Sequence, residues 1–321
     1  DNVEPYRIRA PRSIAAGLKE KAHQEILKML ELGVIEPVEE PTDWCSGLTI
    51  APKAGGKIRM CVDLTRLNRG VKRELYPLPR VSDLMAKLAQ GIIFSKVDAN
   101  CGFWQVTLAE ESREYTTFLT PWGRFQFVVM PFGISSAPEF YQRSMEKILY
   151  GLEGVICMMD DVLVFGKSES EHWVRLKLVL GRIQDAGMTL KREKCEFGVP
   201  EVKFLGHVVS MEGIKLDPDK AKAIFDLAPP TCLTEGRRLM GMVNYLNKFS
   251  KKLAEYGAPI YEVLGSPSRW YWGQDQADAF EKIKMELASA PVLCAFDVHK
   301  RHKVSSDASR IALGAVLMQF S

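Results

Sequence analysis

Residues 154–166 read GVICMMDDVLVFG, two apolar runs on either side of an Asp160–Asp161 pair. Short runs rich in Val, Ile and Phe form strands, so the stretch predicts strands at 154–159 and 162–166 with two acids at the turn between them. A tight turn that needs positive φ ordinarily recruits Asn-Gly or Asp-Gly. Two adjacent carboxylates between apolar strands instead repel one another, and they are costly to desolvate unless something neutralises them. A divalent cation does so, because Mg²⁺ is held by one or two carboxylates together with substrate phosphates. A third acid has a comparable setting: residues 92–98 (IIFSKVD) read as a buried strand that ends on Asp98. If that strand lies beside the hairpin, Asp98, Asp160 and Asp161 converge. On these residues alone, a solvated Asp-Asp turn is the competing reading.

Around this centre the chain alternates helices and hairpins. Leu18, Ala22, Ile26, Met29 and Leu30 share one helical face over 18–32, with Gly33 as the stop. Residues 48–52 and 57–64 read as a hairpin with a basic, glycine-rich tip, and 115–120 and 124–130 as a second strand pair. A short helix is expected around 81–88. Ser-Ser-Ala-Pro-Glu at 135–139 is helix-start chemistry for a helix reaching Tyr150. A helix at 170–186, a loop at 187–200 and a short hairpin whose strand is Val202 to Ser210 follow. Residues 218–264 read as mostly helical, with Leu239, Met242, Val243, Leu246 and Phe249 on one apolar face. A linker at 265–269, a helix at 274–289 and strands at 303–307 and 311–318 close the chain. Antiparallel hairpins without regular βαβ alternation predict an α+β fold.

Composition narrows the function classes. The 321 residues are 46% hydrophobic and 26% charged, which fits folded domains, about two by length, and excludes disorder. The longest stretch without a charge, Phe125 to Pro138, is broken by Pro131 and Gly133 and is too short to cross a bilayer, so no membrane partner is expected. Residues 1–30 have no apolar core of a secretory signal. Seven cysteines without a Cys-x-x-Cys pair argue for a reducing compartment. The net charge of +3 means that any nucleic-acid surface is local. The first residue, Asp1, and the apolar run before Ser321 read as ends cut from a longer chain.

Several motifs in order resemble the reverse transcriptase of gypsy-type LTR retrotransposons over nearly the whole length. RMCVDLTRLN (59–68), YPLPR (76–80), FSKVDANCGFWQV (94–106), MPFGISSAPEFYQRSM (130–145) and CMMDDVLVFG (157–166) are similar to its fingers and palm motifs. GMTLKREKCEF (187–197) and VKFLGHVVS (202–210) resemble the fourth motif and the primer grip, MGMVNYLNKF (240–249) the thumb, and SSDASRIALGAVL (305–317) the start of an RNase H domain.

The resemblance implies a right-hand polymerase fold, with fingers and palm at 1–210, thumb at 211–266 and a partial RNase H-like domain at 267–321. It implies an RNA-directed DNA polymerase that extends a primer on an RNA or DNA template with deoxynucleoside triphosphates. Two Mg²⁺, or Mn²⁺ in their place, would be held by Asp98, Asp160 and Asp161. Lys194 becomes a candidate general acid, Lys57 and Arg59 triphosphate contacts, and Phe103, Phe132 and Gly133 part of the nucleotide site. Met158 and Phe204, Leu205, Gly206 and His207 would support the primer end, and Arg237, Arg238, Lys248, Lys251 and Lys252 would follow its backbone. The partner implied is the rest of a Pol polyprotein, in the cytoplasm within a virus-like particle.

Two departures stand out: Met158 where the family usually has Tyr, and Thr65 where it commonly has Arg. They leave a competing expectation, a catalytically decayed nucleic-acid-binding relic of the same fold. Asp307 resembles the first RNase H carboxylate, but the chain ends before the other acids of a two-metal nuclease, so no RNase H activity is expected of it. His299 and His302 have no further ligands near them in sequence.

Overall fold

In the computed structural model, which describes residues 4–52, 54–88, 91–250, 252–265, 270–288, 293, 300–308 and 313–320, but not the side chains of 54, 248, 307, 308, 313, 314 and 316, helices and mostly antiparallel strands give an α+β fold. The chain forms two compact units. One comprises Asp1–Leu78, Val97–Val162 and Lys177–Cys195, the other Pro79–Lys96, Leu163–Leu176 and Glu196–Ser321.

The first unit contains a five-stranded sheet in the order Ile35–Pro37, Gly123–Phe127, Phe118–Thr120, Ser46–Pro52, Ile58–Val62. The expected basic hairpin forms, with Pro52 opposite Ile58. Helix Ala16–Glu31 buries Ala22, Ile26 and Met29, and Ile26 and Met29 join Leu48, Phe118, Phe125 and Phe127 in one core. Burying each such side chain contributes about 1.5–3 kcal/mol. Gly33 ends the helix at φ 65°, a backbone setting that a Cβ disfavours. Helix Ala137–Ile148 starts where Pro138 predicts, but the Ser136 hydroxyl makes no capping bond. Instead Asn68 fixes the approach, its Oδ1 accepting from the Ser135 N–H (2.9 Å) and its Nδ2 donating to the Gly133 carbonyl (2.8 Å).

A four-stranded sheet runs in the order Val155–Met158, Asp161–Gly166, Ile93–Asp98, Glu196–Val199. Two expectations change here. The turn between the central hairpin strands is Met159–Asp160 rather than the two acids, so Asp161 opens a strand. Residues 187–200 are not all loop, since Glu196–Val199 pairs with the strand that ends on Asp98 through Phe94 opposite Val199.

In the second unit, Val202 to Ser210 is not one strand. Leu205 at φ 48° and Gly206 at φ 74° turn it back, giving a meander of Glu201–Phe204, His207–Ser210 and Gly213–Leu216. Helices Pro218–Phe225, Leu233–Leu246, Lys252–Leu264 and Gln274–Ala288 follow. Leu239, Val243, Leu246 and Phe249 are buried with Ile260, Phe280 and Ile283, and Met242 is partly buried against them. Strand His302–Ala308 pairs antiparallel with Leu313–Gln319. The expected linker at 266–269 and the residues Lys251 and His299 lie outside the described residues, as do the side chains of Lys248 and Asp307.

Candidate active site

The three acids all belong to the first unit. Asp98 ends its strand with only 6% of its surface exposed, and Asp160 occupies the hairpin turn beside it: the Ala99 N–H donates to the Asp160 carbonyl at 3.1 Å. Asp161 is half-buried at the head of the next strand. Lys194, on the short turn Arg192–Lys194, donates from Nζ to both Asp98 carboxylate oxygens at 3.1 and 3.0 Å. The Lys191 N–H donates to the Asp98 carbonyl at 2.9 Å, so the basic loop is held to this strand end by backbone as well as side chain.

The electrostatics follow from this crowding. Burial, then the Asp98 and Asp161 carboxylates, push the Asp160 carboxyl above its ordinary value, with Lys194 and a hydrogen bond from the Tyr141 hydroxyl pulling the other way. The hydrogen bond to Asp98 raises Lys194, and all three acids reinforce its charge. Asp160 Oδ1 and the Tyr141 hydroxyl are both buried. Both crowd the place a side chain at Gly102 would take: a Cβ there would collide with each.

Carboxylates crowded at one strand end and turn repel one another unless something neutralises them. A hard divalent cation suits this set of oxygen donors. Among the described residues no three acids, histidines or cysteines are already drawn together around a cation position. The Asp98 oxygens instead point to Lys194.

Phe103 follows on the turn Gly102–Gln105. Its ring packs on Phe132 (centroids 5.3 Å) and edge-on to Tyr141 (5.4 Å), so three aromatics fix one another. Phe132 is half exposed, and Gly133 has φ 102°. Lys57 and Arg59 are exposed beside and on strand Ile58–Val62. Met158 ends strand Val155–Met158, half-buried.

The expected primer-grip residues lie in the second unit. Phe204 and His207 are fully buried, leaving the Leu205–Gly206 turn between them as the accessible part. His207 stacks near Phe249 (6.0 Å), and its Nδ1 lies 3.1 Å from the Leu205 carbonyl. Arg237 and Arg238 are exposed, and Lys252 pairs with Glu286 at 3.7 Å.

Sequence reasoning gave no role to Gln142, Tyr141 or Asn68, although all three lie within motifs that it quoted. Their partners are remote in sequence, and periodicity carries no signal for such contacts.

Residues 51–209 match the reverse transcriptase (RNA-dependent DNA polymerase) family, and residues 272–321 match the RNase H-like domain found in reverse transcriptase. The Tf2-3 and Tf2-7 transposon polyproteins of Schizosaccharomyces pombe are each 35% identical over 305 residues, which is 94% of this chain and 23% of each polyprotein. The chain thus spans less than a quarter of these relatives. The foamy viral protease-reverse transcriptase dRH in complex with ds DNA is similar at a TM-score of 0.91 and 22% identity, covering 99% of this chain and 56% of that one. The foamy viral protease-reverse transcriptase in complex with RNA/DNA hybrid gives 0.85 and 21%, over 98% and 45%. At these identities the likeness is one of fold. No helix among the described residues is long and apolar enough to cross a membrane.

Proposed function

The chain belongs to the reverse transcriptase family, and we propose on that premise that it is an active RNA-directed DNA polymerase, the fingers and palm (1–210) and thumb (211–266) of a retrotransposon Pol polyprotein with the first part of an RNase H-like domain (267–321). The observation that carries the reading is that Asp98, Asp160 and Asp161 lie close enough to act on one another's charge, with Lys194 bonded to Asp98.

Asp98, Asp160 and Asp161 would hold the divalent ions, two by this reading, as Mg²⁺ or Mn²⁺. When bound, such ions make a primer 3′-hydroxyl more acidic and stabilise charge on a leaving pyrophosphate. The rest falls to the chain's own groups. Lys194 Nζ, kept protonated by its acidic neighbours, supplies a proton to the departing pyrophosphate. Arg59, with Lys57 beside it, offers guanidinium donors to the triphosphate, contacts that are charge-assisted and geometrically selective.

Phe103, fixed between Phe132 and Tyr141, presents a rigid face to the sugar and so excludes a 2′-hydroxyl. Gly133 keeps its backbone open to the incoming nucleotide, and Met158 supports the primer terminus by packing. In the second unit the Leu205–Gly206 turn, backed by Phe204, contacts the primer strand. Template–primer, deoxynucleoside triphosphates and the remaining polyprotein are the partners, in the cytoplasm within a virus-like particle. RNase H activity is not expected of this chain alone.

Primer extension on an RNA template, run beside a template–primer binding assay, tests the reading. Extension supports the polymerase. Binding without extension supports the decayed relic, the alternative that Met158 and Thr65 favour.

A further inference from the structure

Gln142 is fully buried on helix Ala137–Ile148, and all of its amide is engaged. Its Oε1 accepts from the Met159 N–H at 2.7 Å, while its Nε2 donates to the Cys157 carbonyl at 3.1 Å and to Glu146 Oε1 at 2.8 Å. The orientation is unambiguous, because a backbone N–H can only donate and a carbonyl can only accept. Glu146 is fixed in turn, its other carboxylate oxygen accepting from the Tyr76 hydroxyl. The same helix is tied to the same segment by Arg73–Glu139 and Arg143–Glu74. One buried side chain therefore grips the end of the incoming strand and the first residue of the two-residue turn that carries Asp160.

The grip matters because of the backbone it holds. Met159 lies at φ 54°, a left-handed setting that a residue with a Cβ adopts only under constraint. Tight hairpin turns ordinarily place Gly, Asn or Asp in that setting. Nothing in the Met159 side chain favours it, whereas the hydrogen bond from its N–H to Gln142 does. Were Met159 to relax to negative φ, the peptide leading into Asp160 would rotate, and the directions of the Asp160 and Asp161 carboxylates would change with it.

We propose that Gln142 is a positioning residue for nucleotidyl transfer: it holds Met159 left-handed and so aims Asp160 and Asp161. The proposal rests on the polymerase reading for the reaction it serves, but the aim of the carboxylates can be read separately.

The test uses the full chain with Gln142→Met, which keeps the volume and removes all three amide hydrogen bonds, alone and combined with Met159→Gly. Glycine adopts positive φ freely, so it relieves the need for a clamp without restoring core packing. Primer extension at saturating template–primer gives kcat and the nucleotide KM, and calorimetric Mn²⁺ titration of the chain without substrates reads the carboxylates directly. Expected for Gln142→Met are a kcat at least tenfold lower with KM within threefold, Mn²⁺ binding at least fivefold weaker, and recovery of at least threefold in both when Met159→Gly is added.

If Gln142→Met does not fold, Gln142→Asn takes its place. It is polar and one methylene short of Met159, and the same losses and recovery are expected. Parent-like kcat and Mn²⁺ affinity, or losses that Met159→Gly leaves untouched, would overturn the proposal. If the parent chain itself extends no primer, the polymerase reading fails, and the Mn²⁺ titrations of the same variants still decide the clamp.

Discussion

Lys194 donates to both carboxylate oxygens of Asp98, at 3.1 and 3.0 Å, while more than half of the Lys194 side chain remains exposed. Exposure limits what such a pair contributes to stability, since exposed ion pairs are worth about 0–1 kcal/mol. On the proposed reading its value lies in placing a proton donor beside the acids. Because Asp98 is buried, Lys194→Gln should lower the melting temperature by leaving its carboxylate without that donor. On the same reading it should lower single-nucleotide incorporation by about 10²-fold, the ordinary scale of general acid catalysis. Incorporation at the parent rate would assign the lysine to charge balance alone.

Phe103 owes its rigidity to two neighbours, Phe132 and Tyr141, at 5.3 and 5.4 Å. On the proposed reading, replacing the ring by a smaller side chain opens the face that meets the nucleotide sugar and leaves the three carboxylates in place. Phe103→Val is expected to reduce discrimination against ribonucleotides by about tenfold or more, as removal of a steric bar to one hydroxyl allows. The readout is the ratio of kcat/KM for matched deoxy- and ribonucleotides, and an unchanged ratio would remove Phe103 from the selectivity account.

Much of this centre was legible because its signals are local. Alternating apolar residues and the Lys53–Gly56 tip gave the first hairpin, Pro138 gave the helix start, and two apolar runs framed the acids. What sequence missed depends on remote partners. Glu196–Val199 holds a charge and Gly198, so nothing marks it as a strand until Phe94 lies opposite Val199. Leu205 carries no turn signature, yet it sits at φ 48°, and the central turn moved by one residue because Gln142 holds Met159 left-handed. The resemblance supplied the roles, whereas the Gln142 and Asn68 contacts needed coordinates.

Gly102 leaves no room for a Cβ, which would strike Asp160 Oδ1 and the Tyr141 hydroxyl. Gly102→Ala should therefore push Asp160 out of place and reduce incorporation by at least about 10²-fold, the scale on which misplacing a reacting group acts. The far-ultraviolet circular dichroism should stay at the parent level. Near-parent incorporation would mean that Asp160 can yield without consequence.

In the second unit, His172 is fully buried, with Nε2 at 2.9 Å from Ser95 Oγ and Nδ1 without a partner. Burial holds its pKa below the ordinary value, with Glu169 pulling weakly upward. The folded chain thus resists a proton that the unfolded chain accepts, so stability falls as pH drops below about 6.5. His172→Gln, which can still bond to Ser95, should lose less melting temperature between pH 7 and pH 5 than the parent. Equal losses would show that His172 does not govern the acid limb.

The central claim is that Asp98, Asp160 and Asp161 serve nucleotidyl transfer. Primer extension on an RNA template with deoxynucleotides and Mg²⁺, by the parent chain and by Asp160→Asn at equal template–primer occupancy, tests it most directly. Extension by the parent that falls by at least about 10³-fold in Asp160→Asn is the predicted result, since the amide removes a charge on which the transfer depends. Extension that survives Asp160→Asn, or a parent that binds template–primer and adds nothing, would contradict it.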